Sequence, residues 1–464
     1  MTEFNQYQSP FSWRYASEEM RAIWSEKHKR QLWRKMWVAL AQVQQENGLV
    51  TPGQVAELRN AMDRIDMRRA LEIETEIRHD LMAELKTYAE QCPTAGGIIH
   101  LGATSMDIED NADAIRLRES LALVLRRLDD LLTTLAALLE KHADLTVMAF
   151  THIQPAEPTT LGYRLATYAQ DLLEDRQALT ACRTSIRGKG FKGAVGTGAA
   201  YLDLIGSEKF PGFEKRLSEE LNLRFYDIST QTYPRKQDYQ VISALAGIGA
   251  SLSKLAYDLR LLQTPPIGEL SEPFGAKQVG SSAMPFKRNP INSEKIDSLA
   301  RELSVLPQVA WNNAAQSLLE RTLDDSANRR TVLPEAFLIS DELLCTALKI
   351  LKGLNVHKES IERNLAAYAP FAATERVMMA AARAGANRQA MHERLREHAL
   401  AAWQEVQAGK INPLTERLLN DAEIGKYLSA EELASLMDVT SYTGIAAQCA
   451  RDMAERIQTL VKKP

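Results

Sequence analysis

The chain has 464 residues, a formal net charge of −4, 45% hydrophobic residues and 25% charged ones. It is too long for one compact core, so two or three domains are expected, and its balance excludes a disordered or low-complexity chain. With no basic tail, lysine-rich run or basic amphipathic terminus, nothing points to nucleic acid or a membrane surface.

Cys92, Cys182, Cys345 and Cys449 are scattered, without a C-x-x-C pair. This is neither a zinc spacing nor a secreted disulfide scaffold, and it implies a reducing compartment, the cytoplasm. The opening MTEFNQYQSPFSWRY lacks the apolar stretch of a signal peptide. The longest weakly polar stretch, around Val241 to Ser253, falls short of the roughly 20 residues a membrane span needs. A soluble protein is expected.

Residues 1–104 read as shorter helices, with a turn at Asn47-Gly48, a breaker at Pro52-Gly53 and the loop Pro93-Thr94-Ala95-Gly96-Gly97. Periodicity then takes over. Leu117, Leu121, Leu125, Leu128, Leu132, Leu135 and Leu139 recur in steps of three and four, with Val124, Leu131 and Leu138 as a second stripe. Two adjacent stripes predict a helix buried on a wide face. Leu161, Leu165, Tyr168, Leu172 and Leu179 predict a second long helix; Val241, Leu245, Ile248, Leu252, Leu255, Leu259 and Leu262 predict a third, stopped by Pro265-Pro266. A fourth starts with Ile296, Leu299, Leu303 and Leu306 and bends near Pro307; a fifth runs from Leu333 to Leu351. Shorter helices follow, punctuated by Pro370, Gly385, Gly409 and Pro413. The reading is all-α with three domains, 1–104, 105–356 and 357–464, the middle one a long bundle. Its apolar area exceeds what one chain can bury, so a symmetric oligomer is expected.

Polar, glycine-bearing stretches interrupt this background. Arg78-His79-Asp80 is the first, and His100-Leu101-Gly102-Ala103-Thr104-Ser105 the second. Thr104 and Ser105 can donate to a carboxylate or simply cap a helix, and His100 can equally be a hydrogen-bonded interior residue. In Phe150-Thr151-His152-Ile153-Gln154-Pro155-Ala156, just before a long helix, His152 is either a proton donor to a leaving nitrogen or a structural cap. The Gly-rich run 188–198 lacks G-x-x-x-x-G-K-[ST] and a preceding strand, and reads as a plain loop.

The sharpest stretch is Gly280-Ser281-Ser282-Ala283-Met284-Pro285-Phe286-Lys287-Arg288-Asn289-Pro290. Gly280 permits a sharp turn, the serines expose backbone N–H groups, Lys287 adds a positive charge, and Pro290 suits the start of a helix whose N-terminus favours anions. Ser281 could there remove a proton from carbon; an exposed loop with an incidental lysine is the competing reading. Arg321-Thr322-Leu323-Asp324-Asp325-Ser326-Ala327-Asn328-Arg329-Arg330 offers three arginines and a serine to a phosphate or a dianion, or else pairs them with Asp324 and Asp325 at the surface.

Together these stretches resemble the fumarase/aspartase superfamily, whose signature GSSxMPxKxNP is matched at every fixed position from 280 to 290. RHDLMAEL at 78–85, IIHLGATS at 98–105, FTHIQPAEPTT at 150–160, QTYPRK at 231–236 and RTLDDSANRR at 321–330 are similar to the adenylosuccinate lyases, nearer their animal form, and Trp13 to Ser17 also fits. The likeness runs from about Trp13 to Gln448. It implies a three-domain helical fold and a homotetramer with a twenty-helix core, each active site shared by three subunits. It implies β-elimination of fumarate from adenylosuccinate, giving AMP, and from the succinyl-aminoimidazole-carboxamide ribotide, SAICAR to AICAR. Ser281 would take the carbon-bound proton and His152 protonate the departing nitrogen. His79 would help position the substrate, and Glu294 would support His152. Lys287 and Asn289, with Thr104 and Ser105, would hold carboxylates. Arg14, Tyr15, Arg321, Ser326 and Arg330 would hold the nucleotide and its phosphate; Arg78, Asp80, Gln231 and Lys295 complete the substrate set. No metal or organic cofactor is called for.

Two departures stand out. Lys295 replaces an arginine of the animal form, keeping the charge but not the fork, and Tyr442-Thr443-Gly444-Ile445-Ala446 lacks the arginine that commonly follows the glycine. The rivals are a sister enzyme such as argininosuccinate lyase or fumarase, a catalytically silent structural relative, and a helical adaptor. The first calls for less phosphate-binding capacity than 321–330 supplies. Joint retention of Ser281, His79, His152 and Lys287 argues against the second, and the interrupting polar loops against the third.

Overall fold

The leucine stripes become five long helices, Ser105–Lys141, Leu161–Ser185, Lys236–Leu262, Ile291–Ala315 and Asp324–Lys352, in a computed structural model that describes residues 5–461. The first has 37 residues, about 55 Å of helix. Leu117, Leu121, Val124, Leu128, Leu131, Leu132, Leu135 and Leu139 along it are fully buried, each contributing on the order of 1.5–3 kcal/mol. Leu125 and Leu138 of the same stripes are only half-buried. The fourth helix runs on through Pro307. The fifth starts nine residues before Leu333, because Asp324 and Asp325 favour a helix N-terminus, and it continues through Pro334.

By internal contacts the chain divides into two compact units, and every long helix has residues in both. One unit holds the residues up to Leu128, Asp175–Ala250 and Ser298–Cys345; the other holds Asp129–Glu174, Ser251–Asp297 and the residues from Thr346 on. In the first unit the Glu26–Glu46 helix buries Trp33, Met36, Trp37 and Leu40, together with Arg30 and Arg34, whose guanidinium groups share the buried carboxylate of Glu84 at 3.1 and 2.7 Å. In the second, the Lys358–Arg383 and Arg388–Gln407 helices close a core of Ala373, Val377, Leu395, Leu414 and Leu418.

The all-α reading holds, with two small antiparallel additions. Leu270–Ser271 pairs with Asn355–Val356, and Thr146–Thr151 with Gln154–Thr160. The second hairpin is rich in β-branched residues, which fit a strand better than a helix, and Met148 seals it onto the core of its unit. Gly162 follows it: a Cβ there would lie 2.8 Å from both the Ala143 Cα and the Leu139 carbonyl oxygen, so only glycine lets the next helix start this close. No helix among the described residues is long and apolar enough to cross a membrane.

Candidate active site

The first unit holds the residues expected from the sequence to meet the nucleotide. Arg14, exposed, and Tyr15, half-buried, follow a short 3-10 turn, and the next two backbone N–H groups, of Ala16 and Ser17, donate to Glu342 and Asp341 at 2.8 and 2.6 Å. Arg78 ends one helix in the left-handed conformation (φ 53°) and His79 caps the Asp80–Glu90 helix, its Nδ1 accepting the Met82 N–H. The left-handed Arg78 lets the chain reverse between the two helices, with the His79 ring exposed and the Asp80 side chain largely enclosed.

Asp80 meets Arg330: the guanidinium donates to Oδ2 at 2.8 Å, at the edge of a cavity of about 100 Å³ also lined by Ser326, Arg329, Glu109 and Lys29. Burial pushes the Asp80 carboxyl up, but Arg330 and Lys29 outweigh it and hold the group below its ordinary range. Glu109 behaves oppositely. Burial and the carboxylates of Asp80, Asp113 and Asp110 push it up to about 8.

Of the three arginines in 321–330, Arg329 lines that cavity but is engaged by partners within its own chain. Arg329 donates to Asp238 at 2.8 Å and to the Tyr233 hydroxyl at 2.8 Å, and reaches Asp113 at 3.3 Å; its side chain is only 10% exposed. Arg321 bonds Asp325 at 2.8 Å, and Arg330 faces outward. Asp324 to Arg330 form the first turns of a helix rather than a loop, so Ser326 lies at a helix N-terminus, an end suited to an anion. Half-buried Gln231 sits on a neighbouring loop, its N–H donating to the Glu320 carbonyl at 3.2 Å.

Thr104 and Ser105 open the Ser105–Lys141 helix, and Asp107 reaches back to accept the Thr104 N–H at 3.1 Å. The same carboxylate accepts the N–H groups of Lys192 and Gly193 and the ammonium of Lys189 from the Gly-rich run. His100 is interior: its Nδ1 accepts the Trp37 indole N–H at 3.0 Å, and burial lowers its pKa.

The second unit holds the other set. His152 is not at a helix start. With Ile153 it forms the two-residue turn of the 146–160 hairpin, both residues with positive φ (53° and 62°), the conformation a type I′ turn requires. A β-branched residue there is strained. The ring of His152 stands exposed at the hairpin tip. The signal for this hairpin was the β-branched strand Thr146–Thr151, overshadowed by the helix that follows.

In the 280–290 loop, Ser281 Oγ accepts the N–H groups of Ala283 and Met284 at 3.3 and 3.0 Å. Two donors aimed at one oxygen stabilise negative charge on it. Asn289 donates to the Gly280 carbonyl at 3.1 Å, and a Cβ on Gly280 would lie 2.0 Å from the Lys287 carbonyl oxygen. The glycine is thus needed for a close backbone approach. Lys287, Asn289 and Glu294 line a cavity of about 580 Å³ with Tyr257 and Arg260.

The helix N-terminus expected to attract a substrate anion already has one: Glu272 accepts the N–H groups of Asn292 and Ser293 at 3.1 and 2.5 Å. Glu294, exposed, and Lys295, half-buried, follow on that helix, and Glu294 makes no hydrogen bond to His152 within the chain among the described residues. Sequence reading did not single out Glu109, Arg235 or Glu272; Asp325 it weighed as a salt-bridge partner of the arginines, and Asp325 does pair with Arg321. The acidic run Asp107, Glu109, Asp110, Asp113 at the start of an otherwise apolar helix was the signal for the first.

A serine oxygen that accepts two backbone N–H groups, in a loop that also carries a lysine, on a scaffold of long helices is an arrangement suited to a lyase. A family model described as "Lyase" matches residues 13–304, and one described as "Adenylosuccinate lyase C-terminus" matches residues 370–453. The chain belongs to the adenylosuccinate lyase family. It is 43% identical to the adenylosuccinate lyase of Schistosoma mansoni over 91% of this chain and 89% of that one, and 40% identical to that of Saccharomyces cerevisiae over 97% and 94%. Among solved structures it is similar to a 3-carboxy-cis,cis-muconate lactonizing enzyme from Pseudomonas putida (TM-score 0.86, 26% identity, 98% and 99% covered) and a fumarate lyase from Mesorhizobium sp. BNC1 (TM-score 0.83, 26% identity, 97% and 99% covered).

Proposed function

We propose that this protein eliminates fumarate from adenylosuccinate, giving AMP, and from SAICAR, giving AICAR. The observation that carries the reading is the pair of backbone N–H groups on Ser281 Oγ, in a loop that also presents Lys287 and Asn289 to a cavity. A serine alkoxide is too basic to persist in water, and these donors, with the lysine charge, lower its cost. Ser281 takes a proton from the carbon beside the succinyl carboxylate, while Lys287 and Asn289, with Thr104 and Ser105, hold the charge that develops. The carbon–nitrogen bond then breaks, and His152 protonates the departing nitrogen. His79 positions the substrate, Glu294 supports His152, and Arg14, Tyr15, Arg78, Asp80, Gln231, Lys295, Arg321, Ser326 and Arg330 hold the nucleotide.

The active form in this reading is a homotetramer in the cytoplasm, its long helices forming a twenty-helix core and its sites shared between subunits. Support comes from large apolar side chains exposed on those helices, Tyr257 at 62%, Val305 at 62% and Trp311 at 47%, and from four unbridged cysteines.

The test is fumarate release from both substrates by wild type, Ser281→Ala and His152→Ala. Turnover that falls by about 10²–10⁴-fold in each variant supports the reading. A folded tetramer inert on both substrates refutes the function, and turnover indifferent to both substitutions refutes the mechanism.

A further inference from the structure

Buried Arg235 ties together the N-terminal turns of two helices, Ser105–Lys141 and Asp324–Lys352, beside the loop that carries Gln231. Its guanidinium donates to Asp110 at 3.0 and 3.1 Å and to Asp325 Oδ2 at 2.6 Å. Asp110 also accepts the Tyr233 N–H at 2.7 Å, which fixes the loop carrying Gln231. The remaining oxygen of Asp325, Oδ1, accepts from Arg321 at 2.8 Å. Asp325 is thus gripped on one side by a charge that cannot move and grips a partly exposed arginine on the other.

We propose that Asp325 is a positioning residue for nucleotide recognition: it holds the Arg321 guanidinium in the orientation that meets the phosphate, and Arg235 fixes Asp325 in turn. The physical case is one of freedom. An arginine at a surface samples many rotamers, and each one frozen on binding costs affinity. A carboxylate that pre-orients the fork lowers that cost while leaving other N–H groups free for a phosphate. Burial alone would raise the Asp325 carboxyl, yet Arg235, Arg329 and Arg321 together hold it below its ordinary range, so the holding group stays charged. The inference rests on the reading of Arg321 as a phosphate ligand.

The experiment compares inhibition by the two products, AMP, which carries the phosphate, and fumarate, which does not. Wild type, Asp325→Asn, Arg321→Lys and the double variant are assayed as full-length protein. Asp325→Asn is expected to weaken AMP inhibition and raise the substrate KM by roughly tenfold, with fumarate inhibition and kcat within about threefold of wild type. Arg321→Lys acts alike, and the double variant is no worse than the weaker single one, since both remove one interaction. AMP inhibition intact in Asp325→Asn but weakened in Arg321→Lys overturns the proposal and leaves the Arg321 reading standing. Equal weakening toward AMP and fumarate means a merely structural residue and overturns it. Wild-type AMP inhibition in Arg321→Lys sinks the Arg321 reading and the proposal with it. If Asp325→Asn does not fold, Asp325→Glu keeps the charge for Arg235 but misplaces it for Arg321: weakened AMP inhibition supports the proposal, and unchanged inhibition refutes it.

Discussion

Arg330 donates to Asp80 Oδ2 at 2.8 Å, joining two segments 250 residues apart. Both were read from the sequence as substrate ligands, without a sign that they touch. A phosphate approaching Arg330 must share it with this carboxylate. Arg330→Ala is therefore expected to raise KM by about tenfold or more, while stability changes by about 1 kcal/mol at most, because the arginine side chain is 55% exposed. The sign with pH follows from Asp80, whose folded pKa is depressed. Its contribution is present above the ordinary carboxylate pKa and is lost as pH falls through the folded value. Melting curves of wild type and Arg330→Ala should differ most at neutral pH and converge in acid.

Glu109 carries the opposite sign. Its folded pKa is pushed up to about 8, by burial first and by Asp80, Asp113 and Asp110 next. The folded state then holds a proton that the unfolded chain releases above about pH 4.3. The stability this supports is complete in acid and is lost as pH rises through about 8. Glu109→Gln, always neutral, should melt like wild type near pH 5 and above it at pH 9. Identical pH profiles for the two would show that Glu109 ionises normally.

Gly280→Ala tests the geometry of the serine loop. The new methyl group would collide with the Lys287 carbonyl, which is backbone and cannot swing away. The loop is exposed, so the fold should lose no more than about 1 kcal/mol, but the N–H groups of Ala283 and Met284 would no longer converge on Ser281. Removing such donors costs about 10²–10³-fold in kcat. A variant with wild-type kcat would mean that the close approach is incidental.

How much of this was legible in the sequence depends on the range of the interaction. The long helices were legible because Leu128 and its neighbours repeat at the helical period, a local pattern that burial then uses. The Ser281 loop and the 321–330 arginines stood out as candidates for chemistry, since their residue types are out of place in a leucine-rich bundle. Partners were not. Nothing local tells Arg329, which turns inward to Asp238, from Arg330, which turns outward to Asp80. Nor does it show that Glu272 occupies the helix end beside Asn292. His152 was misplaced because strand signals six residues long compete poorly with the strongly periodic helix after them.

The Gly-rich run 188–198, set aside as a plain loop, does cradle an anion, but one from its own chain. The backbone N–H groups of Lys192 and Gly193 and the buried ammonium of Lys189 converge on Asp107, which also accepts from Tyr201 and from the Thr104 N–H. Asp107→Ala should therefore do two things at once. It leaves Lys189 charged and buried with only the Gly193 carbonyl for company, a loss of about 3–5 kcal/mol. It also frees the turn that presents Thr104 and Ser105, so any activity that survives should show a raised KM. Lys189→Met is the informative comparison. It removes the buried charge but leaves Asp107 its backbone and hydroxyl donors, so it should cost less in urea denaturation and spare KM. If the two variants prove equally damaging on both measures, the ion pair alone matters and the turn at Thr104 needs no anchor.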